Sequence, residues 1–162
     1  MVESARTQTE RAYLESREDV YYYLLRLGLP PGEAQETAQE VFLRLFKVLS
    51  DGQEIENHRA WAFRVAHNLG LNVRERERKV VPLLVDQRRE SRNPERIYLD
   101  NERQERMEQA VAELSPQQRQ CLHLRAEGLR YHEIAATLGV SVSTVNEFVR
   151  RAVRNLKKVV HA

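Results

Sequence analysis

The C-terminal part of the chain divides into three short helical segments separated by glycines, and this pattern constrains the fold more than any other. The segments are Gln117–Glu127, Tyr131–Leu138 and Val142–Lys158, with Gly128 and Gly139 at the two breaks. Gly139 follows a helix with apolar inward positions, where a left-handed C-terminal cap favours a residue without a Cβ. Three helices at this spacing predict a helix-turn-helix unit.

The third of these helices has an apolar side and a polar side. Ser141 is expected to cap its N-terminus. The positions expected to face inward are Val145, Phe148, Val149, Ala152 and Leu156. The positions expected to face outward are Ser143, Asn146, Glu147, Arg150, Arg151 and Arg154. Such a helix packs its back on a partner helix while its polar side enters a DNA major groove, although a helical hairpin with a merely solvated face has the same pattern.

The N-terminal half predicts a second group of helices. One segment runs from about Thr9 to Leu27, a second begins at Gly32, and a third extends from Arg59 to about Arg78. In the second segment, three- and four-residue steps place one apolar stripe on the inward face: Ala34, Ala38, Val41, Phe42, Leu45 and Leu49. Asn57 is a plausible N-cap for the third. We expect residues 9–79 to form a small helical domain.

Residues 80–107 are expected to connect this domain to a second one. The stretch contains two prolines and a polar run, and its apolar periodicity is poor. Helical spacing resumes near Ile97, and Ser115 followed by proline has the signature of a new helix start. The second domain is placed at residues 108–160. We therefore predict an all-α fold of two small helical domains joined by a flexible linker, the C-terminal one a helix-turn-helix.

Charge is segregated along the chain although the net charge is only +2. Residues 1–60 hold 7 basic and 11 acidic side chains, and residues 61–92 hold 8 and 4. Residues 93–116 hold 3 and 6, whereas residues 117–162 hold 8 and 3. Two basic blocks suggest two phosphate-contacting surfaces, although solvated charge on a small helical protein is the simpler alternative.

Catalysis, metal binding and membrane insertion find no support in the sequence. Cys121 has no second cysteine to pair with, and the five histidines are scattered without metal-site spacing. The longest apolar stretches fall far short of the roughly 20 residues that a membrane span needs. The N-terminus lacks the apolar core of a signal peptide. We expect a cytoplasmic protein that is not an enzyme and uses no cofactor or metal.

The C-terminal segment resembles region 4 of sigma factors of the extracytoplasmic-function (ECF) type. The resemblance rests on Leu114–Arg119, Glu127–Leu129, Glu133–Ala135 and Leu138–Ser141, followed by a Thr-Val pair at 144–145. Regulators of the LuxR type share a very similar pattern. Residues 114–158 alone do not separate the two families.

The N-terminal half distinguishes these two families. The run Glu36–Phe46 (ETAQEVFLRLF), followed by Trp61–Leu69 (WAFRVAHNL), resembles region 2 of the same sigma factors. Both halves occur in the order of the family, over about residues 10–79 and 108–158. The resemblance implies a protein that binds core RNA polymerase and directs it to promoters by recognising minus-ten and minus-thirty-five elements.

The resemblance also implies roles for individual residues. Polymerase binding falls on Glu36, Gln39, Glu40, Leu43 and Phe46. Contacts with the minus-ten element fall on Trp61, Arg64, Asn68, Arg74, Arg76, Arg78 and Lys79, with Phe63 as a further aromatic residue. Contacts with the minus-thirty-five element fall on Ser143, Thr144, Asn146, Glu147, Arg150, Arg151 and Arg154. The implied partners are promoter DNA, the clamp helices of the largest polymerase subunit, the flap of the second-largest subunit, and an anti-sigma factor.

Two departures from the family pattern bear on function. The acidic pair usual before the Gln-Glu dipeptide is absent from Glu33–Thr37, which predicts a weaker or rearranged polymerase contact. Asn146–Phe148 stands where basic residues are frequent, so an unusual promoter sequence is expected, with Asn146 and Glu147 reading bases and the arginines mainly holding phosphates. The alternatives are a LuxR-like regulator and a sigma mimic that sequesters an anti-sigma factor.

Overall fold

The computed structural model describes residues 3–77 and 94–161. All regular structure in these two ranges is α-helical. The chain separates into two compact units, one up to Asp86 and the other from Gln87 onward. The predicted all-α fold with two helical domains is therefore confirmed.

Within residues 3–77, the first domain forms three helices: α1 (Ala5–Leu27), α2 (Pro31–Ser50) and α3 (His58–Glu77). Each helix packs against the other two. The six apolar residues predicted for the inward face of α2 are all buried. α1 begins four residues earlier than the sequence predicts, because the Ser4 hydroxyl accepts a hydrogen bond from the Thr7 amide and caps it.

Two side-chain contacts fix α3 along α1. Near the start of α3, Arg59 Nη1 lies 3.1 Å from Asp19 Oδ2. Two turns farther along, His67 Nδ1 lies 2.7 Å from Tyr23 Oη. Because the contacts advance in the same direction along both helices, α1 and α3 run parallel. Gly70 allows α3 to lie close to α1, since a Cβ added there would lie 2.8 Å from Leu24 Cδ2.

In the second domain, the described residues 94–161 form four helices: α4 (Pro94–Glu113), α5 (Pro116–Ala126), α6 (Tyr131–Leu138) and α7 (Val142–Val160). α7 packs on the other three, and α5 packs on α6. Leu124, Ile134 and Val145 are fully buried between them. Cys121 is buried in the same core, which raises the pKa of its thiol to about 11 and favours the unreactive protonated form.

The turns of the second domain follow the signals in the sequence. Ser115 and Gln118 form a reciprocal capping box at the start of α5. Gly139 adopts a left-handed conformation with φ 70° after α6, and the Ser141 hydroxyl caps α7 by accepting from the Thr144 amide at 3.1 Å. α6 and α7 with this short turn between them form the predicted helix-turn-helix.

The beginning of α4 falls within the stretch predicted to connect the domains. It starts at Pro94, three residues before the expected resumption of helical spacing near Ile97. The first part of the predicted connecting segment, residues 80–93, lies outside the described residues. None of the helices in the described ranges is long and apolar enough to cross a membrane.

Candidate nucleic-acid interface

One side of α7 presents a continuous polar groove. It has a volume of about 410 Å³ and is lined by Ser143, Asn146, Glu147, Arg150, Arg151 and Arg154. All six side chains are exposed, and all were predicted to face outward. The opposite side of α7 is anchored in the core by Val145, Val149 and Ala152, which are buried, while Phe148 and Leu156 are half-buried. The helix therefore separates packing residues from groove residues.

Thr144 differs from the other residues predicted to contact the minus-thirty-five element. Its side chain is half-buried, and its hydroxyl lies 2.8 Å from the Ser141 hydroxyl. This places Thr144 in the N-terminal cap of α7 and outside the groove. Its hydroxyl is already hydrogen-bonded within the protein.

Glu147 and Arg151 form an ion pair within the groove. Arg151 Nη2 lies 2.5 Å from Glu147 Oε1, one helical turn away. Both side chains are more than half exposed, so the pair faces solvent. A Glu that precedes an Arg by four residues is the favourable order on a helix. The carboxylate that the sequence assigns to base reading is therefore bound to a neighbouring guanidinium in this conformation.

The outward face of α3 brings together three of the residues predicted for the minus-ten element. Arg64 and Asn68 are exposed and Trp61 is half-buried. Helix geometry places the three within about 60° of one another around α3. An arginine, an amide and an indole next to one another suit contact with phosphate, base edge and base face respectively.

The other predicted minus-ten residues are distributed differently. Arg74 is exposed, but it lies about 120° around α3 from Asn68, and Arg76 lies about 80° away on the other side. Arg78 and Lys79 lie outside the described residues. The expectation that Phe63 faces the nucleic acid is wrong: its side chain is fully buried against Tyr23, with ring centroids 5.6 Å apart.

The orientation of α3 depends on the contacts that its buried side makes with α1. Arg59 forms an ion pair with Asp19 of α1, and its Cζ lies 5.0 Å from the centroid of the Phe63 ring on α3 itself. His67 is buried beside Tyr23, and this burial lowers the pKa of its imidazole to about 4. His67 is therefore neutral at physiological pH, which permits its burial. With this side fixed, the next residue, Asn68, faces solvent.

A face of α2 carries the residues predicted to bind polymerase. The five residues, Glu36, Gln39, Glu40, Leu43 and Phe46, are all exposed. Their helical spacing confines them to an arc of about 120°. Leu43 is 64% exposed and Phe46 is 43% exposed, which is unusual for large apolar side chains. Glu40 also forms an ion pair with Arg44 at 3.0 Å.

Three further exposed residues were not identified from the sequence. Asn72 is exposed one turn beyond Asn68 on α3. Val142, at the first position of α7, is 47% exposed, and Leu14 on α1 is 71% exposed. The four-residue spacing from Asn68 would have indicated Asn72. No sequence signal separates Val142 and Leu14 from core residues.

The two domains match two family models. Residues 12–80 match the model for sigma-70 region 2, and residues 104–156 match the model for sigma-70 region 4. A LuxR-type regulator is not expected to match region 2. The chain belongs to the sigma-70 family, among its ECF members. The family predicted from the sequence is thereby confirmed.

Relatives named as sigma factors align over most of the chain. The ECF RNA polymerase sigma factor SigE of Mycolicibacterium smegmatis is 35% identical over 144 residues, which are 85% of this chain and 56% of SigE. This sigma factor thus spans little more than half the length of SigE. The RNA polymerase sigma factor YlaC of Bacillus subtilis is 27% identical over 165 residues, covering 94% of this chain and 92% of YlaC.

Solved structures agree on the fold. The sigma factor RpoE of Bartonella quintana, in complex with the anti-sigma factor NepR, aligns with a TM-score of 0.67 at 19% identity. That alignment covers 94% of this chain and 96% of RpoE. CnrH in complex with the cytosolic domain of CnrY aligns with a TM-score of 0.63 at 20% identity, covering 96% of this chain and 89% of CnrH.

Proposed function

We propose that this chain binds core RNA polymerase and directs transcription initiation at promoters with its own minus-ten and minus-thirty-five elements. The proposal rests on one observation. The two domains match sigma regions 2 and 4 in order, and each has an exposed helix face whose side chains suit contact with nucleic acid. Residues 9–79 would hold the polymerase and minus-ten contacts, 80–107 the connection, and 108–160 the minus-thirty-five contacts. The chain has no catalytic role in this proposal, because nucleotide addition belongs to the polymerase.

The α2 face supports docking on the clamp helices of the largest polymerase subunit. Leu43 and Phe46 offer apolar area that the first domain does not bury itself. Glu36, Gln39 and Glu40 lie next to this area, toward the start of α2, and supply carboxylates and an amide at its edge. An apolar centre with a polar rim is the usual composition of a specific protein interface. The flap of the second-largest subunit is the proposed partner of the second domain.

The α3 face supports contact with the opened minus-ten strand. Asn68 offers one donor group and one acceptor to a base edge. Arg64, beside it, neutralises phosphate, and Trp61 presents part of its ring for stacking. Because phosphate contacts release counterions, this binding should weaken as salt rises.

The α7 groove supports recognition of the minus-thirty-five element in duplex DNA. Six exposed polar side chains line it, on a helix whose opposite side is buried. Asn146 has the bidentate geometry that matches adenine in the major groove. Arg150 and Arg154 supply positive charge for phosphates along the same face.

We further propose that the protein acts in the cytoplasm and is held inactive by an anti-sigma factor. Cytoplasmic action follows from the proposed partner, since bacterial polymerase works there. Support for the anti-sigma factor comes from the two similar structures: RpoE is in complex with the anti-sigma factor NepR, and CnrH is in complex with the cytosolic domain of CnrY. The exposed apolar residues on α2 are the first candidate surface for such a protein.

Transcription with purified core polymerase tests the proposal. The protein is added to core enzyme with a library of promoter fragments, and transcript starts are mapped. Promoter-dependent starts that require the added protein are expected. A protein that binds duplex DNA without polymerase would instead be a regulator, and one that binds only an anti-sigma factor would be a mimic. Either result would contradict the proposal.

A further inference from the structure

The exposed side of α7 is divided between two groups of side chains. Taking Ser143 as the reference, helix geometry places Glu147 and Arg151 on one side, and Asn146 and Arg150 on the other. Glu147 and Arg151 are joined by the 2.5 Å ion pair, whereas Arg150 forms no ion pair within the described part of the chain. Glu147 lies within reach of either arginine by spacing, and it contacts Arg151.

A carboxylate in this groove has an electrostatic consequence. An unpaired Glu147 on a DNA-facing helix would be repelled by phosphates on both strands of the groove. Its pairing with Arg151 cancels this charge locally and limits the orientations open to the guanidinium. Because both side chains face solvent, the pair adds little to folding stability, and its effect is on the orientation of Arg151.

We propose that Glu147 is a positioning residue that holds Arg151 against a guanine of the minus-thirty-five duplex. Arginine binds guanine by two parallel hydrogen bonds to O6 and N7, which requires a defined orientation of the guanidinium plane. In this arrangement Glu147 contacts Arg151 and no base, in contrast to direct acceptance from a cytosine amino group. The inference rests on the proposed function of the α7 groove.

Binding-site selection separates the two roles of Glu147. Holoenzyme is assembled from core polymerase and the full chain, and a duplex randomised at the minus-thirty-five element is selected. Glu147→Ala and Arg151→Ala are each expected to reduce discrimination at the same base pair, by on the order of tenfold. The double variant should lose no more than either single variant. Glu147→Gln should keep part of the preference, because its amide oxygen still accepts from the guanidinium.

Three outcomes would overturn the proposal. Relaxation at two different base pairs, with additive loss in the double variant, would make Glu147 a base reader. Unchanged preference in Glu147→Ala would make the pair a surface salt bridge only. A wild-type holoenzyme without any preference in the duplex would contradict the proposed function, and this inference with it. Glu10→Ala is the matched control, because Glu10 forms an exposed pair of the same spacing with Arg6 on α1, at 3.1 Å.

Discussion

Tyr23 and His67 are joined by a 2.7 Å hydrogen bond inside the first domain, although 44 residues separate them in the chain. Both side chains are almost fully buried, at 1% and 3% exposure. The bond links the C-terminal part of α1 to the middle of α3. It fixes the rotation of α3 about its axis, and with it the direction in which Asn68 faces.

The burial of neutral His67 predicts that the first domain loses stability in mild acid. Its pKa is about 4 in the folded protein against about 6.5 when unfolded, so the unfolded chain binds the additional proton first. Stability is therefore complete above about pH 6.5 and falls as the pH approaches 4, by up to about 3 kcal/mol. Denaturant unfolding of the full chain, followed at several pH values, measures this loss.

Two variants assign the loss to His67. His67→Phe should flatten this part of the pH profile, although it also removes the partner of Tyr23. His132 is exposed on α6, and His132→Gln should leave the profile unchanged. An identical acid-dependent loss in His67→Phe and wild type would show that other groups cause it.

Replacement of Gly70 by a residue with a side chain is expected to destabilise the first domain. A Cβ there would lie 2.8 Å from Leu24 Cδ2 and 3.0 Å from Leu27 Cδ1, so Gly70→Ala forces both leucines to move. Overpacking of this kind costs about 1–3 kcal/mol. Gly32 in α2 has no atom near such a Cβ, and Gly32→Ala should be neutral or slightly stabilising. Thermal unfolding of both variants checks the contrast; equal melting temperatures would contradict it.

Ser141 is expected to link the stability of α7 to DNA binding. Ser141→Ala removes the acceptor for the Thr144 amide and should cost about 1 kcal/mol. It should also weaken binding to minus-thirty-five duplexes, because the first turn of α7 holds Ser143. Ser115→Ala removes the equivalent cap on α5, at a similar cost, but should leave base preference intact. Binding-site selection on minus-thirty-five duplexes is carried out with both variants. Equal weakening of duplex binding in the two would contradict this difference.

The apolar part of the α2 face should be required for polymerase binding and dispensable for folding. Leu43→Ser and Phe46→Ser should weaken core binding severalfold while the melting temperature stays near that of wild type. Leu45 is fully buried, and Leu45→Ala should instead cost about 2–5 kcal/mol of stability. Core-binding titrations and unfolding curves of the three variants are compared. Unchanged core affinity in both serine variants would exclude this face.

Open-complex formation should distinguish two exposed arginines on α3. Arg64→Ala should slow opening and reduce its salt dependence, because Arg64 lies beside Asn68. Arg74→Ala should have a smaller effect, since Arg74 lies about 120° away around the helix. Asn68→Ala should slow opening and relax base preference at one minus-ten position. Permanganate footprinting measures the opened strand, and equal effects of the two arginine variants would contradict this assignment.

The elements with strong local signals could be predicted from the sequence. α2 is amphipathic with one inward stripe, so periodicity alone identifies its buried and exposed residues. Gly139 and the Ser115 capping box mark helix ends because their geometry involves only neighbouring residues. The α7 groove was likewise predictable, since its polar and apolar positions separate cleanly.

The contacts between distant helices could not be predicted in the same way. α3 packs against both α1 and α2, so its apolar residues spread around much of the helix and periodicity does not indicate which aromatic is inside. The resemblance and its aromatic ring predict that Phe63 contacts the nucleic acid, whereas it packs on Tyr23. Whether Glu147 pairs with Arg150 or with Arg151 depends on side-chain rotamers, which the local sequence does not determine.

The separation of packing and groove residues on α7 has a consequence for how such a protein acquires new promoters. None of the six groove side chains belongs to the buried core, so each can change without opening a cavity or straining a neighbour. Promoter preference and folding stability can then diverge independently, through surface substitutions of nearly neutral cost. Proteins from duplicated genes, and engineered sets of mutually orthogonal regulators, can thus recognise different promoters while they keep the same folded core.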